Sequence, residues 1–240
     1  MAQHSGGARP RSRRDPGVIF ISLPKRKYGD VEDAWTQFMW IVNTAKPEKV
    51  ALLADFRNGY DRAISWIFHQ ARKTVDLEMV LMLDGDVGPE MSLHDAVELA
   101  RQAFEDPDVG AVMSPVPSQS LRVMVQPKDP SKQSKTSPYE VTHGAITNFG
   151  FIRSEAFFSL EPIGMWGDVE STEWPAYIEE RMANGTGDTH LCTRLGAAGW
   201  KILADPRLLC HHSKVAKIQS DRPRTQIGFE VGPKAPQKMA

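Results

Sequence analysis

Runs of apolar residues alternate with helical periodicity along the first half of the chain. The apolar runs predict buried strands at 18–23, 49–54, 77–83 and 109–114. Between these runs, apolar positions three and four residues apart predict helices over 31–44, 57–73 and 91–104. The order βαβαβαβ predicts an α/β fold with a mostly parallel central sheet, flanked by helices and joined by right-handed crossovers. In the first helix, one side carries Trp35, Phe38, Met39 and Val42.

The second half of the chain is less regular. Residues 126–139 are polar and lysine-bearing without an apolar period, and a loop of this length within a domain is usually functional or mobile. The remaining predicted elements are a strand and short helix within 145–158, helices at 174–184 and 189–198, and a strand at 200–204.

Both ends of the chain are basic, although the net charge is only −1. Residues 1–16 are rich in Gly, Ser, Arg and Pro, a composition that predicts a disordered tail. Residues 214–240 form a second basic extension. These ends are either solvated tails or contacts for a polyanion, such as a diphosphate or a nucleic acid.

The sequence favours a cytoplasmic protein, from a bacterium or a virus-infected host cell. No apolar run approaches the roughly 20 residues of a membrane-spanning helix. The N-terminal arginines are not followed by the apolar stretch of a signal peptide. Two cysteines, Cys192 and Cys210, are too few for a disulfide framework and fit a reducing compartment.

Several polar residues follow the predicted strands and should gather at one edge of the sheet. Pro24 ends the first strand, Asp55 and Arg57 follow the second, and Asp84 follows the third. Ligands of parallel α/β sheets bind at the carboxyl ends of the strands. The sequence therefore predicts a binding site at this edge.

Asp84-Gly85-Asp86 is the strongest candidate for metal binding. Two carboxylates one residue apart at a strand tip can hold Mn²⁺ or Mg²⁺, which would bridge a diphosphate. Asp106-Pro107-Asp108 has the same spacing but follows a helix, and we interpret it as a solvated loop. The alternative for the first pair is a turn that uses Asp and Gly for their conformational tolerance.

Two further features could complete such a site. Asp188 opens a predicted helix, where it is either an N-terminal cap or a carboxylate that deprotonates a hydroxyl. His211-His212 follow the last predicted strand, and a neutral imidazole suits Mn²⁺. Taken alone, a histidine pair can equally be structural or exposed.

The order and spacing of these segments resemble the GT-A glycosyltransferases, in particular the family 2-like group. The matching segments are IFISLP (19–24), DFRN (55–58), VLMLDGDVGP (80–89), TNFGFIRSEAFFSL (147–160) and GDTHLCTRLGAAGWKILADP (187–206), followed by His212. The resemblance implies one Rossmann-like GT-A domain at 17–213. Its nucleotide-sugar-binding half would be 17–115 and its acceptor-binding half 116–213, with loop 126–139 closing over the donor.

The resemblance also implies an activity, the transfer of a sugar from a nucleotide-sugar, most simply a UDP-sugar, with inversion of configuration at the anomeric carbon. It further implies roles for individual residues. The nucleotide pocket would be lined by Pro24, Asp55 and Arg57, Asp84 would contact the metal or the donor ribose, and Asp86 and His212 would ligate the metal.

The implied catalytic base is Asp188. The family has an acidic pair at this point, but Gly187 stands in place of the first acid, so Asp188 would act alone. His211 could replace His212 as the ligand, since the resemblance does not resolve a shift of one residue.

The acceptor and two rival functions stay open. The acceptor would be a glycan, lipid-linked or protein hydroxyl, or a hydroxymethylated DNA base as in viral DNA glycosyltransferases. The basic ends and loop lysines favour DNA, whereas the pI of 6.7 argues against it.

The first rival is a haloacid-dehalogenase-type phosphatase, with Asp84 as nucleophile and Asp86 as acid/base. However, two βα units precede this motif, and Cys192 replaces the second acid after Asp188. The second rival is a non-catalytic module that binds nucleotide-sugar or DNA.

Overall fold

Apolar strands, whose side chains alternate between the two faces, build a central eight-stranded sheet. The computed structural model describes residues 17–24, 31–55, 60–85, 87–115, 125–167, 173–178 and 187–212. Within these ranges the strands are β1 Val18–Pro24, β2 Lys49–Asp55, β3 Leu77–Leu83, β4 Val87–Pro89, β5 Val109–Met113, β6 Val125–Pro127, β7 Tyr139–Gly144, β8 Phe149–Arg153, β9 Gly164–Gly167, β10 Glu173–Ala176, β11 Lys201–Ala204 and β12 Cys210–His212. The α-helices are α1 Val31–Thr44, α2 Tyr60–Ala71, α3 Leu93–Ala103, α4 Ser154–Phe158 and α5 Gly187–Ala197.

The sheet has the order β2-β1-β3-β8-β5-β11-β7-β6. β1 pairs in parallel with β2 and β3, and β5 pairs in parallel with β11. β8 and β7 run against their neighbours, so the other strands share one direction. The predicted α/β fold with a mostly parallel sheet is confirmed. A simple βαβ series would set β5 beside β3, but antiparallel β8 lies between them.

Each face of the sheet buries its own core. Along β1 and β3, Phe20, Val80 and Met82 belong to one core, which α2, α4 and α5 cover. The intervening residues, such as Ile21 and Leu81, belong to the other core, which α1 and α3 cover. This separation follows from the two-residue period of a strand. Each large apolar side chain buried in this way contributes about 1.5–3 kcal/mol to the stability of the folded state.

Two segments differ from their sequence-based expectations. The predicted helix at 174–184 is wrong over its first residues, because Glu173–Ala176 pairs with Gly164–Gly167 as an antiparallel hairpin. Residues 179–184 lie outside the described part. Segment 126–139, predicted as a loop, begins in β6, which pairs with β7, and contains a short 3-10 helix at Pro130–Lys132.

Helix α1 turns its more apolar side away from the core. Gln37 and Ile41 are buried against the sheet at 3% and 4% exposure. On the outward side, Trp35 and Val42 are 63% and 53% exposed, and Phe38 and Met39 are also exposed. Among the described residues, no helix combines the length and apolarity needed to cross a bilayer.

Candidate functional site

The carboxyl ends of three neighbouring strands meet at one edge of the sheet. Pro24 at the end of β1 pairs with Asp55 at the end of β2. Ser22 of β1 pairs with Met82 of β3, so Asp84 follows β3 at the same edge. The backbones of Pro24, Asp55 and Asp84 are therefore gathered as the sequence predicts. The side chains of Pro24 and Asp55, and all of Arg57, lie outside the described structure.

Asp84 is buried at the tip of β3, with 4% of its surface exposed. Its carboxylate Oδ1 accepts a hydrogen bond from the Gly85 N–H at 2.7 Å. Its own N–H donates to the Asn148 carbonyl at 3.0 Å. The sequence did not single out Asn148, because a buried asparagine between two strands has no distinctive spacing.

The chain turns sharply after Asp84. The Val87 N–H donates to the Asp84 carbonyl at 3.1 Å, which closes a turn between these two residues. The Gln37 amide Nε2 donates to the Asp84 carbonyl at 2.6 Å and to the Val87 carbonyl at 2.8 Å. Gln37 thus fixes both ends of the turn from helix α1. Asp86 is outside the described residues, but the residues on either side of it are fixed.

The turn continues into a short ladder with the last described strand. β4 pairs antiparallel with β12, and His212 lies opposite Val87, His211 opposite Gly88 and Cys210 opposite Pro89. The backbone of His212 therefore lies directly beside Val87, the last residue of the turn that begins at Asp84. Residues about 125 positions apart in the sequence become strand neighbours, which spacing alone could not show.

His211 has a defined environment of its own. Its Nδ1 lies 2.9 Å from Glu90 Oε1. Its ring also covers Gly88, since a Cβ at that position would come within 2.5 Å of the ring Nε2. The His211 side chain remains 56% exposed. The side chain of His212 is not among those described.

A buried acid holds the connection from β11 to β12. Asp205 is fully buried, and its carboxylate binds the Arg207 guanidinium through Nη2 at 2.7 Å and Nε at 3.0 Å. This pairing raises the pKa of Arg207. The Asp205 N–H donates to the Met113 carbonyl at 2.8 Å, which ties the turn to the end of β5. Asp205 therefore directs the chain toward the β4 ladder.

The two thiols are suited to packing and not to nucleophilic chemistry. Cys210 Sγ lies 3.2 Å from Ser114 Oγ, and burial raises its pKa to about 12. Burial likewise raises the pKa of Cys192 to about 12. Both are free cysteines. A thiol with such a pKa is almost entirely protonated at neutral pH.

Helix α5 brings Asp188 toward the same edge of the sheet. The helix begins at Gly187 and is followed, after a short turn, by β11, on which it packs. A helix that folds back along its following strand runs antiparallel to it, so the first turn of α5 lies toward the carboxyl ends of the strands. The side chain of Asp188 is outside the described set.

Another group of ligand-type residues lies before β2, away from this edge. Glu48, His94 and Glu98 place potential ligand atoms within 4.8 Å of one another. Arg101 bridges this group, with Nη2 at 2.8 Å from Glu48 Oε2 and Nη1 at 2.6 Å from Glu98 Oε1. The guanidinium supplies the positive charge, so the group is a structural ion-pair network.

Comparisons with known proteins place the fold. No protein-family model matches this sequence, and no characterised protein sequence is significantly similar to it. Among solved structures, A197 from STIV superimposes with a TM-score of 0.53 at 18% identity, covering 82% of this chain and 85% of that one. GalNAc-T7, solved with UDP, GalNAc and Mn²⁺, gives a TM-score of 0.50 at 12% identity, covering 84% of this chain and 44% of that one.

This chain thus corresponds to less than half of GalNAc-T7, whereas it matches most of A197. At these identities the likeness concerns the fold. The mostly parallel central sheet flanked by helices, together with this likeness, shows that the chain has the GT-A fold.

Proposed function

We propose that this chain is a metal-dependent glycosyltransferase, which moves a sugar from a nucleotide-sugar, a UDP-sugar, to an acceptor hydroxyl. The observation that carries the proposal is the ladder in which His212 lies opposite Val87, beside the Asp84–Val87 turn. The ladder brings the backbone of His212, from near the end of the domain, beside the turn that follows Asp84. The GT-A fold supports the same function.

The proposed metal ligands are Asp84, Asp86 and His212. Carboxylate oxygens and an imidazole nitrogen form a donor set that suits Mn²⁺, and Mg²⁺ accepts the carboxylates. His211 is the weaker candidate, because its Nδ1 is already within hydrogen-bonding distance of Glu90. When bound, the ion would neutralise the negative charge on the diphosphate.

The nucleotide would lie along the ends of β1 and β2. We assign Pro24, Asp55 and Arg57 to its pocket, with Asp84 also facing the donor ribose. The register between Pro24 and Asp55 supports this assignment, because it sets both residues at the edge that also holds Asp84. Ligands of open α/β sheets bind in the crevice outside these strand ends.

The proposed catalytic base is Asp188, in the first turn of α5. The acceptor oxygen would attack the anomeric carbon while the bond from that carbon to the diphosphate oxygen breaks. Asp188 would take the proton of the acceptor hydroxyl. A single displacement of this kind inverts the configuration at the anomeric carbon.

For the acceptor we propose a glycan hydroxyl in preference to a hydroxymethylated DNA base. The loop lysines that favour DNA are Lys128, Lys132 and Lys135. Lys128 Nζ lies 2.6 Å from Glu140 Oε1, and Lys132 Nζ lies 3.8 Å from Asp129 Oδ2. These acids offset part of the positive charge that a DNA backbone would require. Binding to duplex DNA at low salt would reverse this preference.

A donor screen that detects free nucleoside diphosphate tests the function. We expect release from a UDP-sugar with Mn²⁺, and loss of release in Asp86→Ala. Asp108→Ala is the matched control, because it belongs to the same Asp-x-Asp spacing but precedes β5 at the opposite edge and pairs with Lys201 at 3.0 Å. Equal loss in both variants, or release from neither wild type nor variant with any donor, would contradict the proposal.

The same experiment separates the rival functions. Hydrolysis of a phosphate ester without any sugar donor would favour the phosphatase. The fold argues against it, since the acid pair follows β3 and not the first strand of the chain. Binding of the nucleotide-sugar without turnover would favour a non-catalytic module.

A further inference from the structure

Arg62 differs from the other arginines that the structure describes, because its guanidinium has no acid or carbonyl partner among the described residues. Each of the others donates hydrogen bonds to a carboxylate or to backbone carbonyls: Arg72, Arg101, Arg153, Arg194 and Arg207. Arg62 instead lies over the ring of Trp166, with its Cζ 4.9 Å from the ring centroid. A guanidinium is always charged and has several N–H donors, so those of Arg62 remain free for a ligand.

Helix α2 fixes Trp166 in place beside Arg62. The Trp166 indole Nε1–H donates to Ser65 Oγ at 3.2 Å, and Ser65 is fully buried in α2. The same hydroxyl accepts the Tyr177 N–H at 3.1 Å. One serine therefore holds both β9 and the residue that follows β10. The ring under Arg62 is part of the packed domain, and it gives the guanidinium a defined place.

Arg62 lies near the edge of the sheet that carries the candidate site. Helix α2 follows the carboxyl end of β2, and Arg62 is in its first turn. The helices α2, α4 and α5 cover one face of the sheet, whereas α1 and α3 cover the other. Arg62 is therefore on the same face and at the same edge as the first turn of α5, which carries the proposed base.

The turn after β3 belongs to the opposite face. Val87 and Leu208 are part of the core that α1 and α3 cover, and Gln37 of α1 binds the Asp84–Val87 turn. The proposed metal, and the diphosphate that it would neutralise, lie toward that side. The position of Arg62, on the side of the proposed base, therefore favours a contact with the acceptor.

We propose that Arg62 binds a carboxylate of the acceptor, which makes the acceptor an acidic saccharide that contains a uronic acid. The guanidinium fork matches a carboxylate through two parallel hydrogen bonds. The stack on Trp166 orients the fork in advance, which lowers the entropy lost on binding. This inference rests on the proposed function, because it names the acceptor class of that same site.

A matched pair of methyl glycosides tests the subsite without turnover, in the presence of UDP and Mn²⁺. We expect methyl β-D-glucuronide to shift the indole N–H resonance of Trp166 in NMR titrations. Its affinity should fall at least about tenfold in Arg62→Gln, because the charge-assisted hydrogen bonds are lost. Methyl β-D-glucoside, which has a hydroxymethyl group in place of the carboxylate, should bind wild type at least about tenfold more weakly than the glucuronide.

Lys73→Gln is the control for the loss of one positive charge. Lys73 is exposed and follows α2 at the opposite edge of the sheet. This variant should bind the glucuronide within about twofold of wild type, since exposed charges at such a separation are largely screened. Equal affinity of wild type for the two glycosides, or no binding of either, would overturn the inference. An equal loss of affinity in Arg62→Gln and Lys73→Gln would also overturn it.

Steady-state kinetics separate this inference from the proposed function. With a UDP-sugar and Mn²⁺, Arg62→Gln should raise KM for the glucuronide at least about tenfold and change KM for the UDP-sugar by less than about twofold. A raised KM for the UDP-sugar alone would place the guanidinium on the donor diphosphate and overturn the inference, with the proposed function intact. Failure of wild type to release UDP from any donor would contradict the proposed function, whatever the glycoside titrations show.

Discussion

Glu48 shows how one buried acid is stabilised in this domain. Its side chain is 1% exposed and accepts hydrogen bonds from Arg101 Nη2 at 2.8 Å, with His94 Nδ1 also 2.8 Å away. Burial by itself raises the pKa of Glu48, but the contacts with Arg101 and His94 outweigh it and hold the pKa below the ordinary value of 4.5. The charged form is therefore the one that the folded state favours.

We expect Glu48→Gln to lower the free energy of unfolding by about 2 kcal/mol at pH 7, because it leaves Arg101 with weaker partners. Urea unfolding measures this change. Glu105→Gln, at an exposed position after α3, is the control and should change stability by less than about 0.5 kcal/mol. Equal stability of Glu48→Gln and wild type would contradict a stabilising role for the contact between Glu48 and Arg101.

The contribution of Glu48 should also depend on pH in a defined direction. A carboxyl whose pKa is lowered by folding stabilises the protein above its unfolded pKa, and this contribution is lost as pH falls through the lowered folded value. The difference in stability between wild type and Glu48→Gln should therefore shrink as the pH falls below 4.5. A difference that stays constant down to pH 2 would contradict this account.

At the scale of elements, strand β8 packs closely against the segment that supports the Asp84 turn. Gly150 lies in β8 opposite Met82 and Met113. A Cβ there would come within 2.6 Å of the Ile146 carbonyl oxygen. That carbonyl belongs to the segment that ends at Asn148, which accepts the N–H of Asp84. A side chain at Gly150 would thus push on the support of the Asp84 turn.

Gly150→Ala should lower the free energy of unfolding by about 1–3 kcal/mol and reduce activity, because backbone atoms must move to admit the methyl group. Gly196→Ala is the matched control. Gly196 lies in α5, where a Cβ meets nothing within 4 Å, so alanine should raise stability by about 0.5–1 kcal/mol. Thermal and urea unfolding of both variants measure these changes in the free energy of unfolding. Changes of the same sign in the two variants would contradict this prediction.

The sequence predicts some elements well and others poorly, for physical reasons. The bounds of α1 and β3 are as predicted, because their apolar periods are long and uninterrupted. The sequence does not predict β10, because this strand depends on pairing with β9 and on the packing of Trp174 against Trp66, with ring centroids 5.5 Å apart. Periodicity also cannot show which side of α1 meets the core, since both sides carry apolar residues.

The sequence predicts at which edge of the sheet the candidate site lies, but it does not predict the residues that hold the site in place. Strand ends and an Asp-x-Asp pair point to the carboxyl edge of the sheet, where the structure places Asp84. The contacts of Gln37 and Asp205 depend on folding that joins distant segments, and neither residue has a spacing that marks it. The ligand, base and nucleotide-contact roles stay predictions.

For the whole molecule, the central point is that the sheet assembles one edge from both halves of the chain. The first half supplies the ends of β1, β2 and β3, and the second supplies α5 and β12. The β4–β12 ladder joins the two halves beside the Asp84–Val87 turn. A site shared in this way forms only when the complete domain is folded.

Mn²⁺ binding in the presence of UDP, followed by electron paramagnetic resonance, tests this central claim most directly. His212→Ala should weaken Mn²⁺ binding by at least about tenfold, a change of roughly 1.4 kcal/mol. His211→Ala, at the neighbouring position that contacts Glu90, should leave the affinity within about twofold of wild type. Wild-type affinity in His212→Ala, or a larger loss in His211→Ala, would contradict the account.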